Sequence, residues 1–309
     1  MKFFVGVTDN RWYQFLAERG PDEVNFWRPG GKGHFRAIEP GALFLFKLHS
    51  PLNFIAGGGY FLRHSILPLS LAWQAFGEKN GAPDFKTFYQ MISNLRKDGM
   101  RDPMIGCTIL TEPFFFPRDE WIPIPPDWSP NIVQGKTYST EENPGRGLWN
   151  EVGEKIQRQT YLNSISQDSV TADGQPVYGS EYLTRARIGQ GAFRVLVTET
   201  YHRRCAITGE RTLPVLEAAH IKPYSESGPN SVNNGLLLRS DLHILFDKGY
   251  LTVTKDLHAE VSTRIREEFE NGRAYYALHG KRFAVSPAGL SERPAPEYIQ
   301  WHNEEIFLR

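Results

Sequence analysis

Between Cys205 and Gly249 the chain reads CAITGERTLPVLEAAHIKPYSESGPNSVNNGLLLRSDLHILFDKG, and this stretch constrains the fold more than any other. An apolar, strand-like run (Leu213, Val215, Leu216) leads directly to Glu217 and His220. A polar loop rich in Ser, Gly, Pro and Asn follows, and then an amphipathic segment from Asp241 to Lys248 that the spacing predicts to be helical. His220, Asn234 and His243 stand in that order, 14 and 9 residues apart, and Asp247 comes four residues after His243. Positions i and i+4 share one face of a helix, so His243 and Asp247 can converge on one ion. An imidazole and a carboxylate, with other positions left to water and a substrate oxygen, suit a catalytic divalent ion better than a closed structural one. That leaves His220 to act as a base.

The segments AAHIKP, NNGLLL and DLHILFDKG, with the upstream IGQGAFRVLVTETYHRRCAITG, resemble the ββα-metal nuclease module called HNH, in the variant found in bacterial restriction endonucleases. The resemblance runs from about Arg185 to the C-terminus. It implies that His220 is the general base, that Asn234 pins the loop, and that His243 and Asp247 carry a divalent ion, Mg2+ or Mn2+, with Glu217 the nearest further carboxylate. It also implies hydrolysis to 5′-phosphate and 3′-hydroxyl ends. Two positions depart from the wider family. Ala219 stands where many members place an acidic or histidine ligand before the base, and Thr208 follows Cys205 by three residues where others have a CxxC pair. No structural zinc knuckle is therefore expected, and the module must rest on an apolar core that includes Phe193, Val195, Leu196, Val197, Ile207, Leu236 to Leu238, Ile244 and Phe246.

The chain is long enough, at 309 residues, for two cores. Lys plus Arg and Asp plus Glu both number 35, so a nucleic-acid enzyme of this composition must concentrate its basic residues locally. Arg185, Arg187, Arg194, His202, Arg203 and Arg204 form such a cluster; Arg187, Arg194, Arg203, Arg204 and Lys222 are the expected phosphate contacts. The two cysteines, Cys107 and Cys205, exclude a disulfide scaffold and fit a reducing cytoplasm. No stretch has membrane-spanning length.

In the first half, Phe3 to Val7, Ala42 to Leu48, Asn53 to Tyr60 and Met104 to Leu110 read as strands. Asp9 and Asn10 offer N-caps for a helix from Arg11 to Arg19, and Pro83 and Asp84 start another that Gly99 ends. Short strands with interposed helices, and PGALFLFKL followed by FIAGGGYF, resemble a small β-barrel of the PUA superfamily, which includes SRA, EVE and ASCH modules. That resemblance implies a reader of DNA that holds a flipped, modified base. Six of the seven tryptophans lie in the first 149 residues, and Trp27, Tyr60 and Trp12, with Asp9 and Asn10, are the expected pocket residues. Arg28, Lys32, His34 and Arg36 would suit nearby phosphates.

The expected organisation is α+β throughout: a PUA-like recognition domain at 1–148, a linker with a helix at 149–184, and an HNH domain at 185–309. Leu251 to Val253 and Arg282 to Val285 read as strands, and Glu297 to Phe307 as a closing helix on which Trp301 and His302 pack. The functional expectation is a restriction endonuclease acting on double-stranded DNA with 5-methylcytosine or 5-hydroxymethylcytosine, cutting both strands as a homodimer. An HNH enzyme of unmodified DNA, a non-catalytic reader with a degenerate HNH fold, and RNA binding through the barrel are the alternatives.

Overall fold

The computed structural model describes residues 1–31, 33–165 and 188–309. The chain divides into two compact units, Met1–Arg187 and Ile188–Arg309.

The first unit is built on one mixed sheet. Its strands are β1 (Lys2–Thr8), β2 (Glu23–Arg28), β3 (Leu43–Leu48), β4 (Phe54–Pro68), β5 (Met104–Phe115), β6 (Ile122–Pro123) and β7 (Gly135–Ser139). The order is β2-β5-β4-β3-β1-β7, with β6 paired to β4, and only the β1/β3 pair is parallel. Side chains alternate across the sheet with period two. Val5, Leu43 and Leu45 therefore face a cluster with Phe3, Ile55 and Trp128, while Phe44 and Phe46 face a second cluster with Trp12, Tyr13 and Leu16. The two layers explain why this half is so aromatic: each face needs large rings to fill it.

Helix α1 (Asn10–Arg19) begins where Asp9 accepts hydrogen bonds from the N–H groups of Arg11 and Trp12, and it stops at Gly20 in the left-handed region (φ 54°). Helices α2 (Leu69–Phe76) and α3 (Phe85–Arg96) follow β4, and Asp84 caps α3 through the Thr87 N–H. The α3 helix ends at Lys97 rather than at Gly99, because Lys97 itself takes the left-handed cap (φ 57°). The Gly57–Gly59 run lies at a close backbone approach, as its composition suggests. A Cβ at Gly57 would come 2.2 Å from the Phe114 carbonyl oxygen, and the β4/β5 register shifts between Gly58 and Tyr60.

Helix α4 (Gly145–Ile165) starts four residues before the expected linker helix. Its Leu148 and Val152 are buried in the first unit's core, with Trp149 and Ile156 packed against it, so this stretch belongs to the first unit's packing. The polar run Ser164 to Ser180 lies essentially outside the described residues.

The second unit opens with α5 (Gln190–Thr200), followed by an antiparallel pair, β8 (Leu216–His220) and β9 (Gly235–Arg239), and helix α6 (Ser240–Asp247). A second pair, β10 (Leu251–Val253) with β11 (Ala259–Val261), and helices α7 (Arg264–Phe269), α8 (Arg273–Tyr276) and α9 (Pro296–Glu305) complete it. Phe193, Val197, Ile207, Leu236 to Leu238 and Phe246 form its core, as expected. Each large side chain fully buried there contributes about 1.5–3 kcal/mol.

Ile244 does not join them: it is 53% exposed. On α6 the i, i+4 pair Leu242 and Phe246 takes the core face, and Ile244 falls off that stripe. Arg282 to Val285 is not a strand either. Arg282 makes an isolated bridge to His258, while Phe283 and Val285 bury their side chains without continuing a ladder. Among the described residues no helix is long and apolar enough to cross a membrane.

Candidate functional site

The β8, β9 and α6 elements bring His220, His243 and Asp247 to one cleft of about 350 Å³, also lined by Gln190, Tyr224 and His302. His220 ends β8, directly opposite Gly235 of β9. Its ring stacks on Phe193 of α5 at 3.9 Å between centroids and 13° between planes. Its Nε2 lies 2.8 Å from Asn230 Oδ1. The Asn230 amide is oriented by its other end, since Nδ2 donates to the Ile188 carbonyl at 2.7 Å. The oxygen therefore faces the imidazole, Nε2–H is the donor, and Nδ1 keeps the lone pair. Burial pushes the His220 pKa below the usual histidine value, and the charge of His243 adds to this; the Asn230 bond and Asp247 oppose it. A neutral ring with a defined basic nitrogen is the state a general base requires.

His243 lies between two carboxylates. Its Nδ1–H donates to Glu217 Oε2 at 2.7 Å, and its Nε2 lies 3.3 Å from Asp247 Oδ2. Donation from Nδ1 leaves the Nε2 lone pair facing a carboxylate oxygen, which is repulsive unless a proton or a metal ion lies between them. Burial raises the Asp247 pKa and the nearby Glu217 charge adds to this, while His243 and His220 act against it. A cation would relieve the same charge. The pair His243 and Asp247 thus fits one divalent ion, and Glu217 sits at the opposite ring nitrogen, where carboxylates orient a metal-bound imidazole. This differs from an arrangement in which Glu217 shares the ion. Among the described residues no group of three or more His, Cys, Asp and Glu side chains converges as a complete metal site, so water and substrate oxygens would fill the remaining positions.

Asn234 is fully buried and holds the loop after β8 from within. Its Oδ1 accepts from the Lys222 N–H at 2.9 Å, and its Nδ2 donates to the carbonyls of Lys222 and Pro229, both at 2.9 Å. Ala219 is fully buried in the core, so the position before His220 offers no ligand.

The described members of the expected phosphate-contact set are engaged in different ways. Arg194 on α5 is largely buried, near enough to Glu217 to feel its charge. Arg203 is paired with Glu199 at 2.6 Å, and the Arg204 Nε points at the Gly209 carbonyl. Lys222 lies over the Trp301 ring, 5.4 Å from its centroid. Arg185 and Arg187 lie outside the described residues. Sequence reasoning did not single out Asn230, Tyr224 or Gln190. Asn230 stands in a loop with Ser225, Glu226, Ser227, Ser231, Asn233 and Asn234, and no spacing rule marks which of them reaches His220.

In the first unit a cavity of about 750 Å³ lies beside the N-terminal end of α1. Of the residues expected to hold a base, Trp12, Trp27 and Asp9 line it. Tyr60 does not: it is buried in the cluster on the opposite face of the sheet, with Leu43 and Trp128. Asn10 does not line it either, because its amide is used at both ends by the His49 backbone, accepting at 2.8 Å and donating at 3.4 Å. Asp9 spends one oxygen on the helix cap. The Trp27 Nε1–H donates to the Asn80 carbonyl at 2.8 Å, which fixes the ring as a wall. Of the basic residues expected nearby, Arg28 lines the cavity, His34 and Arg36 do not, and Lys32 lies outside the described residues.

Residues 205–254 match the family model described as HNH endonuclease, HNH_2. No curated protein matches the chain. Among solved structures the chain is similar to a mutant ZmASCH protein from Zymomonas mobilis, with 10% identity over 46% of this chain and 93% of that one and a TM-score of 0.32. It is also similar to the modification-dependent restriction endonuclease TagI, with 15% identity over 92% of this chain and 75% of that one and a TM-score of 0.26. The HNH family generally uses a divalent metal ion. The second unit of this protein therefore carries an HNH endonuclease domain at 205–254, which makes the chain a metal-dependent DNA nuclease.

Proposed function

We infer that this protein is a modification-dependent restriction endonuclease, in which the HNH unit cuts DNA that the first unit selects by a modified cytosine. The observation that carries the nuclease half is His220: half-buried, neutral, with Nε2–H fixed on Asn230, and in one cleft with His243 and Asp247. Nδ1 of His220 takes a proton from water, and the resulting hydroxide attacks phosphorus opposite the 3′ oxygen. The products are 5′-phosphate and 3′-hydroxyl ends. His243 and Asp247 would hold the divalent ion, while Glu217 keeps the His243 ring turned toward it and Asn234 keeps the loop after His220 in place. When bound, that ion supplies charge stabilisation for the phosphorane-like transition state and the leaving oxygen.

Selectivity comes from elsewhere, because contacts to phosphates carry no sequence information. The aromatic-walled cavity of the first unit supports a base reader: its rings offer faces for an extruded base. Cutting both strands needs two active sites, so a homodimer, or pairing of two copies on DNA, is part of the reading.

The test is cleavage of matched plasmids, unmodified, 5-methylcytosine-containing and 5-hydroxymethylcytosine-containing, with Mg2+ or Mn2+, by wild type and His220→Ala. Cutting confined to modified DNA and lost in the variant is the expected result. Equal cutting of all three plasmids removes the modification reader, and undiminished cutting by the variant removes His220 as the base.

A further inference from the structure

Lys222 differs in its surroundings from the other cations expected to meet phosphates. Arg203 is paired with Glu199 and Arg204 points at a backbone carbonyl, whereas the Lys222 ammonium has neither a carboxylate nor a carbonyl partner among the described residues. It lies instead over the Trp301 ring, which steers the side chain without neutralising its charge.

The Lys222 backbone is fixed as well. The Asn234 side chain holds both its N–H and its carbonyl, and the preceding Ile221 is fully buried. Lys222 stands two residues after His220, so their Cα atoms are at most about 7 Å apart. The ammonium is therefore held within reach of the strand on which His220 acts. Asp247 in the cleft opposes an entering phosphodiester, and an unneutralised cation beside it offsets that charge.

Tyr224 adds a second observation. It lines the cleft with His220, His243 and Asp247, yet it is 63% exposed and its hydroxyl makes no hydrogen bond among the described residues. This exposure is not looseness. The Pro223 carbonyl accepts from the N–H groups of Glu226 and Gly228, and the Tyr224 carbonyl from that of Ser227. Gly228 packs so closely on Lys222 that a Cβ there would collide with the Lys222 carbonyl oxygen. A hydrogen-bonded turn thus presents a largely exposed ring at a nuclease cleft.

We propose that the loop leaving His220 grips the strand being cut: the Lys222 ammonium meets a phosphate flanking the scissile one, and the Tyr224 ring packs on the adjoining sugar and base. The proposal rests on the reading of the His220 cleft as the place of cutting, and not on the modification reader. Both contacts are to features that every DNA sequence shares, so they add affinity without selecting a base.

Binding of the full chain, in EDTA to prevent cleavage, is measured by fluorescence anisotropy from about 50 to 300 mM NaCl. Three duplexes are used, differing at one cytosine that is unmodified, 5-methylated or 5-hydroxymethylated. Each phosphate contact contributes about 0.9 to the slope of log affinity against log salt. Lys222→Gln is expected to lower that slope by about one contact and to weaken binding about tenfold near 0.1 M salt, equally on all three duplexes. Lys222→Arg keeps the charge and is expected to keep the slope. Tyr224→Ala is expected to weaken binding about tenfold with the slope unchanged, because stacking releases no counterions.

Single-turnover cleavage with Mn2+ separates binding from chemistry. Lys222→Gln and Tyr224→Ala are expected to need about tenfold more DNA for half-maximal rate, and to come within about threefold of the wild-type rate at saturation. A wild-type salt slope in Lys222→Gln, with the fold confirmed by thermal melting, overturns the phosphate contact. Wild-type affinity and half-maximal DNA concentration in Tyr224→Ala overturn the ring contact. Undiminished cutting by His220→Ala overturns the reading of the cleft and the proposal with it.

Discussion

The two candidate sites are built in opposite ways. In the HNH cleft the key side chains are held by partners: His220 by Asn230, His243 by Glu217, and Asn234 by three backbone groups. In the first unit's cavity the walls are aromatic, and the exposed amides of Asn94 and Gln134 have no hydrogen-bond partner among the described residues. The difference matches what each task demands. A reacting group must be held in one tautomer and one orientation before substrate arrives. A base reader of the kind proposed would instead gain selectivity from groups left for the ligand to satisfy.

Substitutions separate the two regions most sharply at His220. His220→Ala should lower the cleavage rate by about 10²–10⁴-fold while leaving DNA affinity unchanged, as single-turnover kinetics beside a binding titration will read. The acid limb that His220 contributes to the wild-type rate should lie below the ordinary histidine value of about 6.5. The depressed pKa keeps the base neutral to lower pH, and the base is lost as pH drops through its folded value. An acid limb above pH 6.5 would contradict this.

The next effect in size belongs to Glu217. If it orients His243 rather than sharing the ion, Glu217→Gln weakens the apparent affinity for Mn2+ by about 10–100-fold, measured by titrating activity against the metal, and saturating metal restores most of the rate. A loss that no metal concentration restores makes Glu217 a direct ligand instead.

His302 provides a prediction about stability rather than chemistry. It is buried, stacks on Phe246 at 3.7 Å, donates from Nε2 to the Phe246 carbonyl at 3.0 Å, and has its pKa lowered to about 4 by burial. A depressed histidine pKa means that the unfolded chain binds the proton more readily, so stability rises with pH. This contribution is complete above about 6.5 and is lost as pH falls toward 4, by up to about 3 kcal/mol. Urea unfolding of the full chain between pH 7 and pH 4.5 reads it, and His302→Gln should flatten part of the slope.

Asn234→Ala is the smallest of the four. Three backbone groups lose a side-chain partner, for a cost of about 1–3 kcal/mol in folding stability, seen as a lowered melting temperature. Cleavage should fall with it, because the loop carrying Tyr224 and Asn230 starts at His220. Normal stability with lost cleavage would give Asn234 a direct chemical role instead.

The HNH strands and helix were legible because their polar residues interrupt apolar runs at positions set by strand and helix periods. His220 at the end of β8 and the i, i+4 pair on α6 follow from local spacing, whereas the place of Asn234 came from the family resemblance, and Leu213–Val215, which reads as strand, is a short 3-10 turn before β8. The caps of α1 and α3 were legible for the same reason, since Asp9 and Asp84 act within three residues of themselves. What spacing does not convey is which partners meet across the fold. Asn230 reaching back to His220, Glu217 crossing from β8 to His243, and Phe193 stacking from α5 are contacts between elements.

The first unit shows the limit more plainly. Its aromatic content announced a ring-filled interior, but Trp12 and Tyr60 look alike as sequence and end on opposite faces of one sheet. Local chemistry, the order of residues and their periodicity determined the elements, their caps and the set of reactive groups. Only tertiary structure decided which nitrogen of His220 carries the proton, which carboxylate faces which edge of His243, and which rings wall a cavity. Those outcomes depend on side chains brought together from distant parts of the chain, and no local preference encodes them.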